Sequence, residues 1–155
     1  MKKSVINILL VGLILVGVTT LYAADDSHGT AAQAKAMVDK AAQFLKAQGR
    51  EAAFAAFTEK KEGFVLNDLY IFVVDYDGMT LAHGGNAKLV GKNMLNLKDP
   101  DGKLFIQEMI KEAQKGGGWV DYKWVNPQTK KIDPKSTYAV PIEGMKAFFG
   151  CGIYK

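Results

Sequence analysis

The chain changes its hydrophobic period once, near Asn67. Before that point apolar residues recur at helical spacing. Met37, Ala41, Phe44 and Leu45 fall on one face of "SHGTAAQAKAMVDKAAQFLKAQGR", which marks a long amphipathic helix. Ser27 or Thr30 can cap its start, and Gly49 stops it. A shorter helical stretch, "REAAFAAFTE", sets Phe54 and Phe57 three apart and ends near Gly63. Beyond Asn67 the pattern is that of strands. Residues 70–75 are a run of β-formers, Asp75-Tyr76-Asp77-Gly78 supplies a turn, and residues 80–83 form a second, short strand. A loop leads to "KLFIQEMIKEAQKGGG", a helix expected from about Asp101 to the glycines, with Phe105, Met109 and Ala113 along one stripe. Three more strands follow, at residues 119–125, 135–141 and 147–154, with a loop, "NPQTKKIDP", between the first two. Short connections favour antiparallel pairing. The expected product is an α+β domain, one antiparallel five-stranded sheet with helices packed on it.

The first residues do not belong to this pattern. Lys2 and Lys3 precede an unbroken run of 11 apolar or Gly residues, Ile8 to Val18, and Leu21-Tyr22-Ala23 places a small residue at a cleavage point. This has the form of a secretory signal peptide over residues 1–23. An uncleaved anchor is the competing reading, although a spanning helix wants about 20 apolar residues. Residues 24–66 then form an N-terminal helical segment and residues 67–155 the sheet domain, in an exported, periplasmic protein.

Composition narrows the function classes. The 155 residues suffice for one domain with a real core. Of 20 basic residues two lie in the leader, leaving 18 against 16 acidic, about +2. These charges are scattered, so there is no footprint for nucleic acid. Cys151 is the single cysteine, in the apolar run "FFGCGIY", which suits a buried small residue better than a nucleophile. Two Asp-x-Asp-Gly matches, at Asp75 and Asp99, lack a first-position ligand for an EF-hand loop, since Val73 and Leu97 stand there. They read as turns, with Asp101 a cap for the next helix, and no metal or cofactor is expected. No nucleophile–base signature marks an enzyme. His28 sits in the start of the exported chain, where no specific role is expected, and His83 ends a short strand beside two glycines.

The strand "GGGWVDYKWVNP" carries the strongest chemical signal. Alternation places Val120, Tyr122 and Trp124 on one face and Trp119, Asp121 and Lys123 on the other. A Tyr and a Trp give apolar walls with one polar tip each, and a nearby ammonium would hold a small anion. The residues alone leave two readings open: the walls of a pocket, or packing beneath a helix. The second reading makes the chain a secreted interaction or dimerisation protein with a filled core.

Five ordered blocks, "YIFVVDYDGMTLAH", "VGKNMLNLKDPDG", "GGGWVDYKWVNP", "KSTYAV" and "GCGIY", resemble the single Cache domain, a small extracytoplasmic sensor module. The resemblance implies a PAS-like sheet with the long N-terminal helix packed on it. It also implies a cavity for a small organic acid such as acetate, propionate, pyruvate or lactate. By position it assigns Tyr122 and Trp124 to the walls, Lys135 and Tyr138 to the carboxylate, His83 to the edge, and Asn93 to a loop closing over the ligand. Strict alternation puts Lys135 and Tyr138 on opposite faces, so this assignment needs a bulge or a strand start between them. Family members usually continue into a kinase or methyl-accepting module. Because the sequence stops at Lys155, the expected mode is sensing through a separate chemoreceptor or histidine kinase, with a homodimer through the N-terminal helix as a further expectation.

Overall fold

The computed structural model describes residues 28–61 and 63–155. The expected signal segment therefore lies outside the described residues. Among those described, no helix is long and apolar enough to cross a membrane.

Helix α1 (Ala31–Gln48) begins at Thr30, whose side chain accepts from the Gln33 N–H while the Gln33 side chain returns to the Thr30 N–H, a reciprocal capping box. Gly49 ends it and leads straight into α2 (Arg50–Thr58). The strands are β1 (Val65–Leu66), β2 (Leu69–Asp75), β3 (Thr80–His83), β4 (Gly118–Val125), β5 (Ile132–Pro141) and β6 (Ala147–Tyr154). All pair antiparallel in the order β1-β2-β6-β5-β4, with β3 also on β2. The fold is the expected α+β arrangement. Its sixth strand, β1, is two residues long and has no periodicity for the eye to catch.

Two other boundaries moved, each for a stated reason. Helix α3 (Phe105–Gln114) starts four residues later than Asp101. The Asp99 carboxylate takes the N–H groups of Asp101 and Lys103 on one oxygen and that of Lys123 on the other. It thereby holds the segment as a turn against β4, and Asp101 caps nothing. Strand β5 starts at Ile132, not at Lys135, and so includes Pro134. A proline has no N–H to give. Here the Pro134 carbonyl accepts from Lys155, just past the end of β6, so the missing donor faces a side where the neighbouring strand has ended.

The sheet has a core on each face. On one, Leu69, Ile71, Val73, Phe149 and Cys151 meet Met37, Val38 and Ala41 of α1 and Phe57 of α2. On the other, Tyr70, Phe72, Val74, Phe148, Val120 and Tyr122 meet Phe105, Ile106, Met109 and Ile110 of α3. Cys151 is fully buried, with its thiol 3.8 Å from the Met37 sulfur, and burial pushes it up to about 12. It is a packing residue. His28 is engaged after all, hydrogen-bonded to the buried carboxylate of Asp68 at 2.8 Å.

Candidate functional site

On the α3 face, beyond the end of that helix's packing, a cavity of about 530 Å³ opens beside the sheet. Its lining comes from β2 (Tyr70), the end of β3 (His83), the following loop (Gly85, Asn86, Leu89) and the β4–β5 hairpin (Trp124, Val125, Pro127, Lys130). This volume suits a small organic ligand.

Lys135 lies beneath the cavity. It is 1% exposed, and its Nζ donates to the Tyr70 hydroxyl at 2.6 Å. The same ammonium sits 4.0 Å from the Tyr70 ring centre and 4.7 Å from that of Tyr154, close enough for cation–π attraction to both. Tyr154 in turn donates to the Val125 carbonyl at 2.8 Å, which ties the cradle to the cavity wall. Among the described residues no carboxylate forms an ion pair with Lys135. Burial pulls its pKa down from 10.5 to about 7, partly opposed by electrostatic interaction with Cys151 and Asp68.

The backbone makes room for this lysine. Cβ atoms at Gly150 and Gly152 would fall 2.1 Å from the Phe72 ring and 2.5 Å from the Lys135 stem. The alternating glycines of "GCGIY" therefore clear the cavity face of β6, while Cys151 between them fills the opposite core. His83 completes the polar set. Its ring stacks on Phe72 at 5.6 Å, and its Nδ1 accepts from the Asn86 N–H at 2.9 Å. Burial, then the Lys135 charge, push its pKa down to about 3. The ring is thus neutral near pH 7 and carries its proton on Nε2, a fixed donor.

The structure separates the residues that the sequence grouped. His83 and Trp124 line the cavity, and Lys135 reaches it through its hydrogen bond to Tyr70 of the lining. Tyr122 stands beside them but faces α3: its ring stacks on Phe105 at 4.6 Å and 8°, and its hydroxyl meets Thr137 at 3.1 Å. It supports the wall and does not line it. Tyr138 is on the other face, since β5 pairs in unbroken register with both neighbours and has no bulge. Its ring packs on Trp119 at 5.3 Å and lies under Lys35. Asn93 is exposed and braces the β2–β3 turn, donating to the Asp77 carbonyl and accepting from the Leu95 N–H. It does not close over the cavity. Reading alternation missed Tyr70 and Tyr154, because each sits in an apolar stretch that resembles plain core. The usable signal was alternation: Tyr70 stands between Leu69 and Ile71 and so faces away from them, and Tyr154 follows Gly150 and Gly152 on one face of β6.

The family model for single Cache domain 2 matches residues 16–155. The chain belongs to the single Cache domain 2 family. It is 40% identical, over 56% of its length and 19% of the other's, to the sensor histidine kinase MctS of Rhizobium johnstonii. It is 29% identical, over 95% of its length and 30% of the other's, to the methyl-accepting chemotaxis protein McpP of Pseudomonas putida. It therefore spans less than a third of either of these curated relatives. Among solved structures it resembles a methyl-accepting chemotaxis protein from Vibrio parahaemolyticus, with TM-score 0.68, 27% identity, and 77% and 84% of the two chains covered. A second solved structure, titled as the basis for carboxylic acid recognition by a Cache chemosensory domain, matches with TM-score 0.62, 28% identity, and 79% and 86% covered. The Cache domain described here is thus similar to the sensor domains of chemoreceptors and sensor kinases, and such domains are extracytoplasmic.

Proposed function

We propose that this Cache domain is a periplasmic receptor for a small monocarboxylate of the acetate, propionate, pyruvate or lactate kind. The observation that carries the reading is Lys135, an ammonium buried under a cavity and cradled by tyrosines instead of a carboxylate. A buried cation without a counter-ion is costly, and an anionic ligand would supply the missing charge. The Tyr70 and Tyr154 hydroxyls and the His83 Nε2 proton are further donors for its oxygens. The short alkyl part would lie against Trp124, Leu89 and Pro127. The Cache neighbour whose title names carboxylic acid recognition supports this choice of ligand class. Residues 1–23 would direct export and be removed. The signal would pass to a membrane chemoreceptor or histidine kinase, and the exposed face of α1 is the surface a homodimer would use.

Thermal shift with C2 to C4 acids at millimolar concentration tests the reading. Stabilisation that grows with ligand concentration is expected, about 2.7 kcal/mol at a hundredfold excess over Kd. Lys135→Met should abolish it, since a charge-assisted hydrogen bond contributes about 1.5–3 kcal/mol. If none of the four acids stabilises the protein, the carboxylate reading is wrong and the filled-core interaction protein takes its place.

A further inference from the structure

The sequence Asn67-Asp68-Leu69-Tyr70 does two things within three residues. Tyr70 holds the buried ammonium of Lys135. Asp68 and Leu69 hold the entry to α1. The Asp68 carboxylate is 0% exposed, accepts the Gly29 N–H on Oδ1 at 2.7 Å and meets His28 Nδ1 with Oδ2 at 2.8 Å. Gly29 lies so close on Leu69 that a Cβ there would fall 2.1 Å from the Leu69 side chain. Thr30, the next residue, is the cap that starts α1. The segment leading into the long helix is therefore fastened at two adjacent points, to Asp68 and to Leu69 at the start of β2. The strand residue that follows them touches the anion site.

A buried carboxylate that takes a backbone N–H and a ring nitrogen fixes geometry more than it adds net stability, because its desolvation offsets much of the attraction. Its placement then needs a reason beyond packing. Asp68 has an electrostatic link to the site as well, because its charge favours the protonated form of Lys135. An anion arriving above Lys135 changes the field that Asp68 feels and the pull on Tyr70. Both changes reach Gly29 through groups in direct contact.

Resting on the carboxylate reading above, we propose that Asp68 is a positioning residue that couples occupancy of the anion site to the start of α1. Ligand binding tightens the Asp68–Gly29 clamp, and the helix entry is the element that reports it. By reciprocity, loosening the clamp weakens the ligand response.

Hydrogen exchange of the individual backbone amides of residues 29–36 is the test, on the purified protein with and without acetate, propionate, pyruvate and lactate at millimolar concentration. The acid that stabilises the protein should slow exchange at the Gly29 and first-turn amides about fivefold or more. In Asp68→Asn the acid should still give a thermal shift while this difference shrinks below about twofold. His28→Ala removes an exposed half of the clamp, threatens folding less, and should reduce the difference in the same direction. A bound acid that leaves these wild-type amides unchanged overturns the proposal. So does a difference that persists in Asp68→Asn, or in His28→Ala should Asp68→Asn fail to fold. If no acid gives a thermal shift with the wild type, the carboxylate reading itself has failed, and the coupling falls with it.

Discussion

Strand β2 gives Leu69, Ile71 and Val73 to the face beneath α1 and Tyr70, Phe72 and Val74 to the face beneath α3. The neighbouring strands repeat the split. β6 sends Phe149 and Cys151 one way, and on the other face Gly150 lies over Phe72 while Gly152 and Tyr154 stand next to Lys135 of β5. The α1 face is mainly apolar and covered by two helices. The α3 face is closed only over its middle, where Tyr122 and Val120 meet Phe105 and Met109; at its end it buries an ammonium and a neutral imidazole under a cavity. One sheet therefore serves two purposes. The first face is given over to packing, and the second buries a charge beneath a cavity, where the proposed ligand would bind.

The contrast is sharpest in two truncations of buried residues. Phe57 is 0% exposed and packs edge-on against Phe64 at 4.7 Å and against Phe149 at 6.1 Å. Phe57→Ala should cost about 3–5 kcal/mol in a denaturant titration, since a ring-sized cavity remains. Lys135→Met should do the opposite to stability. It replaces a buried unpaired cation by an apolar chain of similar length, so the ligand-free protein should be as stable as the wild type or more so. Yet this variant should lose all response to carboxylates. A Lys135→Met protein destabilised as much as Phe57→Ala would show that Lys135 is a structural residue like those on the α1 face.

The titration behaviour follows from the same asymmetry, because the α3 face holds the two groups pushed away from their charged forms. For His83, with its pKa near 3 against an ordinary 6.5, the unfolded chain binds the extra proton between those values. Ligand-free stability therefore falls as pH drops from 6.5 toward 3. For Lys135, near 7 against 10.5, the unfolded chain again binds more protons, so stability should rise by a few kcal/mol as pH climbs from 7. The rise is best read below pH 9, above which Cys151, with its thiol raised to about 12, contributes with the opposite sign. Lys135→Met should remove the rise above pH 7 and leave the fall below 6.5. Carboxylate affinity should weaken above pH 7 in the wild type, as the free lysine loses its proton. Flat stability between pH 7 and 9 would contradict an unpaired buried ammonium.

A smaller change on the cavity face is Gly152→Ala. Its methyl would fall 2.3 Å from Thr137 Oγ1 and 2.5 Å from Lys135 Cε, so the lysine stem must move. Overpacking of this size costs about 1–3 kcal/mol. The carboxylate thermal shift should drop with it, whereas an equal loss of stability from an α1-face substitution should leave the shift intact.

The two faces were not equally legible. Helical spacing and alternation located α1, β2, β3 and β6 to within a residue or two, because burial on one side writes a period into the sequence. The boundaries that failed, at α3 and β5, were set by the Asp99 carboxylate and by the end of β6, which are long-range facts. Of the site, Lys135, His83 and Trp124 were visible as polar or amphipathic residues in strands. Tyr70 and Tyr154 were hidden among apolar neighbours, and only the register of β2, β5 and β6 brings them to the ammonium. Asn93 was misplaced because its loop folds back under the β2–β3 turn, bridging Met79 and donating to Asp77.

Tyr138 provides the weakest perturbation and a strict control on the division of faces. It is one strand position from Thr137, whose side chain meets Tyr122 on the cavity side, and it points the other way, into the ring of Trp119. Its hydroxyl forms no hydrogen bond among the described residues. Tyr138→Phe should therefore shift stability by no more than about 0.5 kcal/mol, as surface changes usually do, and leave carboxylate binding unchanged. Tyr70→Phe deletes the hydroxyl that holds Lys135 Nζ at 2.6 Å and should weaken binding about tenfold or more. Equal losses from the two substitutions, measured by calorimetric titration with the acid that gives the largest thermal shift, would mean that the ligand reaches the α1 face. The sheet would then not separate packing from recognition.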